Sequence, residues 1–194
     1  MAFLVMSDNT YTEFNDGFGW TLYPPLATSE MNFTITIIVY SLIVAGMSSL
    51  LASINFVLTM GNMRSSGLIF QLLALFNWSL IITAGMLVVV LPIIAGSLMM
   101  LFTDLHYNTS LFDPSYGGDA ILYQHYFWLF GHPEVYILII PAFGIISQTI
   151  AIISQKLIFC ILSMVLAIGC IAIFGVIVWG HHIYTIGFEA DTRF

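Results

Sequence analysis

Charge is what this chain of 194 residues has least of: only 7% of it is Asp, Glu, Lys or Arg, with three basic residues against ten acidic ones. A soluble domain carries about 25% charge. A chain that is 60% hydrophobic, with mean hydropathy +1.01, reads instead as an integral membrane protein lying almost wholly in the bilayer. Three scattered cations, within a net charge of -7, cannot form a basic stripe for phosphates, which excludes a nucleic-acid partner. Cysteine is nearly absent too. Cys160 and Cys170 lie ten residues apart in one apolar segment. On a helix that separates them by about 15 Å, too far for an internal disulfide, so they read as packing residues. No secretory signal is expected: Met1 to Met6 is apolar but short and lacks a basic flank. Internal repeats and low-complexity stretches are absent as well.

What is present is hydrocarbon-compatible sequence in four long runs, at about 32–60, 68–102, 121–154 and 157–179. Each reaches the roughly 20 residues that cross a bilayer, and the second and third are long enough to tilt or protrude. The expected fold is an all-α integral membrane protein with four transmembrane helices. The chain divides into an outer-side loop region, 1–31, and a four-helix membrane segment, 32–194, which includes an outer loop, 103–120, and an outer C-terminal tail, 180–194. Arg64 follows the first span and Lys156 the third, so the positive-inside rule puts those two loops inside. Asp8, Glu13, Asp16, Glu30, Asp104, Asp113, Asp119, Glu189 and Asp191 fall on the opposite side, with Arg193 the exception. The outer loops interleave Gly, Asp, Asn and Pro with Trp20, Tyr23 and Tyr116, and read as ordered caps. Pro92, Pro133 and Pro141 interrupt the second and third runs. Each removes a helical hydrogen bond and can kink the helix. In lipid the carbonyls freed by the last two, those of Leu129 and Ile137, need other partners.

The third run carries the chemistry. His125, Trp128, His132 and Tyr136 are spaced by three, four and four, which sets them on one helical face, with Ser147 close to the same line. Glu134 falls near the opposite side from His125. The fourth run ends in Trp179-Gly-His181-His182. An ionised side chain at bilayer mid-depth costs roughly 2.5–3.5 kcal/mol on insertion scales, so intramembrane ionisable residues are functional candidates. Each also has a plainer reading. A lone His in a span is often a satisfied core residue, Trp128 and His125 suit an interfacial anchor, and His181-His182 suits a solvated helix end. Glu134 suits a protonated carboxyl bonded to a freed carbonyl. Against these stands a coincidence of depth. The third run goes inward and the fourth comes back outward, so His132 and His181-His182 can meet in the outer half. Three converging imidazoles suit copper, iron or zinc. Ser48, Ser49 and Asn55 on the first run lead from the inner face toward Glu134. That pattern suits a wet proton path, although small residues in spans also serve helix packing.

The longest motifs are Gly19-Trp-Thr-Leu-Tyr-Pro-Pro-Leu26, Ser48-Ser-Leu-Leu-Ala-Ser-Ile-Asn-Phe56 and Leu122-Tyr-Gln-His-Tyr-Phe-Trp-Leu-Phe-Gly-His-Pro-Glu-Val-Tyr136. Pro141-Ala-Phe-Gly144, Trp179-Gly-His-His182 and Asp191-Thr-Arg193 follow. On these runs the chain resembles subunit I of the haem–copper oxidase family, over nearly everything after about Gly17. The resemblance implies a piece of a twelve-helix bundle, matching about its fourth to seventh spans, with Met1 to Met6 as the tail of the third. It also implies reduction of dioxygen to water with electrons from cytochrome c, coupled to proton pumping. It implies that His132, His181 and His182 bind copper, that Tyr136 is covalently joined to His132, and that Glu134 relays protons. Ser48, Ser49 and Asn55 would lie on the route to Glu134, and Ser147 on a second route to Tyr136. Trp20 would approach a haem propionate and Trp128 would pack beside the copper. Two haems would be lined but not ligated by this chain.

The partners implied are other fragments of subunit I carrying the haem ligands, subunits II and III, cytochrome c through the complex, and lipid. The implied location is the mitochondrial inner membrane, with the bacterial plasma membrane as the alternative. The chain departs from the family pattern at Ala120, where Pro is usual, at Ala142, where Gly is usual, and at Gln148, where His is common; the last bears on the second proton route. Quinol oxidases share the same centre and differ in electron donor. A proton-coupled transporter using Glu134, or a scaffold without chemistry, are readings of other classes. Neither would need three convergent histidines.

Overall fold

A computed structural model of the chain describes residues 19–28 and 33–187. Met1 to Met6, the acidic residues Asp8, Glu13, Asp16, Glu30, Glu189 and Asp191, and Arg193 lie outside the described residues. The architecture is four long α-helices: α1 (Phe33–Asn62), α2 (Leu75–His106), α3 (Ala120–Ile153) and α4 (Ile161–Ile177). Single 3-10 turns cover Leu26–Thr28, Phe70–Leu72, Pro114–Tyr116 and Trp179–Ile183. There is no strand among the described residues. All four helices, the last counted with its exit turn, are long and apolar enough to cross a membrane, so this is a multi-pass membrane protein.

The helices begin and end for local reasons. Asp119 caps α3 by accepting a hydrogen bond from the Ile121 amide. At the other end the Ser154 hydroxyl donates to the Ile150 carbonyl. α2 starts at Leu75, seven residues after its apolar run begins. Gly67 turns the chain at φ +90°, and Arg64 stacks on the Phe70 ring with its guanidinium 3.6 Å from the ring centre. The Trp78 indole then bonds back to the Phe70 carbonyl. α4 likewise begins only at Ile161, because Leu157 to Cys160 form a non-helical entry. α3 continues through Pro133 and Pro141, and α2 through Pro92.

Serines within the spans are mostly satisfied by their own helix. Ser41, Ser53, Ser79 and Ser97 each donate to a carbonyl three residues earlier. That lets them sit in apolar surroundings without a polar neighbour.

α2 is the hub: it packs on α1, α3 and α4. Its contact with α3 is close enough that a β-carbon at Gly144 would stand 2.5 Å from the Ser79 hydroxyl and 2.9 Å from the Phe76 α-carbon. Two apolar clusters result. The outer one joins Leu22, Ile35, Leu98, Leu101, Phe112, Tyr123 and Phe127. The inner one joins Leu75, Met86, Ile137, Ile140, Val165 and Ile168. Among the described residues, the stretch 19–28 and the loop between α2 and α3 are tied down. Asp104 accepts from the Leu111 and Phe112 amides and the Thr109 hydroxyl, and Tyr123 donates to the Thr21 carbonyl at 3.0 Å. Large apolar side chains such as Leu51, Phe56, Leu162 and Phe174 face outward, a surface suited to lipid or to further helices.

Candidate metal centre and the cavity beside it

The stripe on α3 faces α4 and its exit turn along its whole length. Tyr136 lies against Gly175. His132 sits one turn outward with ring centre 5.0 Å from that of Tyr136. One turn further, Trp128 stacks on His182 with centres 3.8 Å apart and planes 3° apart. At the outer end His125 accepts a hydrogen bond from the Trp179 indole at 3.4 Å. The 3.6-residue repeat thus delivers four side chains to one partner surface.

The exit turn supplies the other two imidazoles. Trp179–Ile183 tightens from α-helix to 3-10, which carries two consecutive histidines toward the same helix. His132, His181 and His182 each offer one ring nitrogen, and those atoms lie within 4.8 Å of one another. His181 is oriented by a short hydrogen bond from Nδ1 to the Val178 carbonyl, leaving Nε2 free to bind. Such outer bonds fix the tautomer of metal-binding histidines. His132 Nδ1 faces His182 Nε2 at 3.1 Å. Two nitrogens about 2.0–2.1 Å from one ion at a tetrahedral angle are roughly 3.3 Å apart, so the observed spacing suits a shared ion. The remaining atom, His132 Nε2, is buried with no hydrogen-bond partner. The donor set fits a first-row transition ion held by three neutral imidazoles with a position left open.

Glu134 looks the other way. It lines a cavity of about 440 Å³ between α1, α2 and α3, walled by Ser49, Leu87, Leu91, Phe130, Ile137 and others, with Trp20 at its outer end. Of the three polar candidates on α1, the fold brings Ser49 to this cavity. Ser48 and Asn55, exposed as Ser49 also is, are not among its walls, and Asn55 accepts a hydrogen bond from Thr59 at 3.1 Å. Ser147 is half-buried on α3, eleven residues and so about 16 Å along the helix from Tyr136.

Trp20 packs edge-on against Phe127 and Trp128 and keeps 71% of its surface exposed, so most of the indole is available to a neighbour. Two supporting residues are not singled out by spacing. Tyr23 accepts a short hydrogen bond from the Trp128 indole, which fixes the ring that stacks on His182. Burial pushes the Tyr23 phenol above its ordinary range, and the Trp128 bond only partly offsets this, so Tyr23 stays protonated at neutral pH. Its only sequence signal is its place in the Gly19–Leu26 run. Val178, which orients His181 through its carbonyl, gives no side-chain signal at all.

Comparison with known proteins adds to this geometry. Residues 1–194 match the protein family described as cytochrome C and quinol oxidase polypeptide I. Cytochrome c oxidase subunit 1 of Plasmodium falciparum is 50% identical over 196 residues, covering 100% of this chain and 41% of that protein. The subunit 1 proteins of Eremothecium gossypii and Cereibacter sphaeroides are 44% and 46% identical, over 95% and 90% of this chain and 35% and 31% of their own lengths. The chain therefore spans well under half the length of these relatives.

Proposed function

The chain belongs to the cytochrome c and quinol oxidase polypeptide I family, and from that premise we propose that it forms part of the catalytic subunit of a terminal oxidase. The proposed reaction is reduction of dioxygen to water with electrons from cytochrome c, coupled to proton pumping across the membrane. The observation that carries this reading is the convergence of His132, His181 and His182 within 4.8 Å. These three would hold copper, which when bound beside a haem would take up dioxygen and pass it electrons.

The rest falls to the chain's own residues. The Val178 carbonyl and the Trp128 ring hold His181 and His182 in place. His132 Nε2, unpaired and buried beside the Tyr136 ring, supports a covalent His132–Tyr136 link. Making it removes one hydrogen from the imidazole N–H and one from a ring C–H, as an N–C bond forms. The two electrons and two protons pass to dioxygen, which leaves as hydrogen peroxide. Tyr136 keeps its phenol O–H, from which it gives an electron and a proton to the reaction. Glu134, on the opposite face and in a cavity with Ser49, holds and passes protons. Ser48 and Asn55 extend that route inward along α1, and Ser147 serves a second route to Tyr136.

Two haems are lined by Trp20 and Trp128 but ligated by residues outside this 194-residue stretch, a reading supported by His106 being bonded to Thr36 at 3.0 Å and His125 to Trp179. The remaining spans of a twelve-helix bundle carry those ligands, and subunits II and III join the bundle. The proposed membrane is the mitochondrial inner membrane, with the bacterial plasma membrane as alternative. A Glu134-lined cavity also suits a proton-coupled transporter, but a transporter has no use for the three-histidine cluster. Dioxygen uptake by the purified complex, with reduced cytochrome c or a quinol as donor, tests the reading. Uptake and proton release with cytochrome c are expected. Uptake with quinol alone would make it a quinol oxidase, and none with either donor would end the proposal.

A further inference from the structure

Helix α4 meets the reactive stripe of α3 at a buried glycine. A β-carbon built on Gly175 would stand 2.7 Å from Cδ2 and 3.0 Å from Cε2 of Tyr136, and those ring atoms are its nearest neighbours. Carbon atoms in contact settle at about 3.5–4.0 Å. The phenol ring thus occupies space that any side chain at 175 would fill. No backbone requirement explains the glycine: it lies inside α4 and is not among the glycines with positive φ. Gly169, on the same helix, would meet nothing within 4 Å. The ring so seated has its centre 5.0 Å from the His132 ring, whose buried Nε2 lacks a partner.

We propose that Gly175 is a positioning residue for Tyr136: its bare backbone lets the ring lie against α4 and so fixes the angle and distance at which it meets His132. The proposal rests on the His132–Tyr136 link described above. A methyl at 175 pushes the ring off α4 by the better part of an ångström, and its three nearest neighbours are all Tyr136 ring atoms rather than imidazole atoms. Copper binding and ring alignment therefore separate.

The test is peptide mass analysis of the assembled complex, with copper measured on the same samples. The unaltered chain and Gly175→Ala are compared, with Gly169→Ala as the same change in open space. The joined His132–Tyr136 peptide is lighter than the sum of its parts by two hydrogens. It is expected in full in the unaltered chain and in Gly169→Ala. In Gly175→Ala it should fall about ten-fold or more at unchanged copper content, since reactions of aligned groups lose up to about a hundred-fold per ångström of misplacement. Full linkage in Gly175→Ala overturns the positioning role. Absence of the link from the unaltered chain would instead overturn the linkage itself, and this proposal with it. If Gly175→Ala blocks assembly, adding Tyr136→Ala removes the ring that the methyl meets. Restored assembly then supports the proposal, and continued failure overturns it.

Discussion

A histidine within a membrane helix has two ring nitrogens to satisfy, and His132 satisfies one. It is 8% exposed, its Nδ1 faces His182, and its Nε2 faces no partner. A merely structural histidine would be expected to bond both or lie in water. Glu134 poses the same question on the other face, as a carboxyl beside an apolar cavity. Glu134→Gln keeps the shape and cannot carry a proton. Dioxygen uptake is expected to fall by about a hundred-fold or more, within the usual range for a lost acid–base group, with copper content unchanged. Normal steady-state turnover in that variant would remove Glu134 from the relay. Tyr136→Phe separates the phenol from the ring: the ring still rests on Gly175, so assembly and copper should persist while turnover is lost. Metal analysis and oxygen electrode measurements on one preparation read both.

Between helices, α2 and α3 approach through missing side chains. Gly144→Ala sets a methyl 2.9 Å from the Phe76 backbone, which must shift, and the expected cost is about 1–3 kcal/mol, as for other overpacked sites. Gly96→Ala, with nothing within 4 Å, is expected to be neutral, and thermal unfolding of the two complexes compares them. In the outer loop, Asp104→Ala removes the acceptor of three hydrogen bonds, so faster proteolysis between 107 and 119 is expected. The long helices and the shared face of His125, Trp128, His132 and Tyr136 are legible in the chain because apolar length and a 3.6-residue repeat are local properties. The first seven residues of the second apolar run are not legible in the same way. Whether Leu68 to Ala74 join the helix depends on Arg64 reaching Phe70 and Trp78 reaching the Phe70 carbonyl, contacts set by the turn at Gly67. Gly175 and the Val178 carbonyl are hidden for a related reason: a missing side chain and a backbone oxygen declare a role only when another helix arrives. The proximity of Ser49, rather than Ser48, to the Glu134 cavity depends on the rotation of α1, which an almost uniformly apolar helix leaves undetermined.

As a whole molecule, the protein buries little of its apolar surface. Only 17% of the most apolar window of α1, of α3 and of α4 is buried, against 39% for α2. The open side of the Glu134 cavity is therefore left for a neighbour to cover, and the chain covers 31–41% of the length of these relatives. Expressed alone in a membrane, the chain is expected to bind no haem in defined stoichiometry and to aggregate or be degraded, because lipid cannot satisfy exposed polar groups. A stable isolated chain with a haem spectrum would contradict this. The central claim is that His132, His181 and His182 together hold one copper ion, and copper analysis of the purified, assembled complex tests it most directly. The account predicts that His132→Ala, His181→Ala and His182→Ala each lose most of the copper of this centre, because two imidazoles hold a first-row ion poorly. Full copper occupancy in assembled His132→Ala would contradict it.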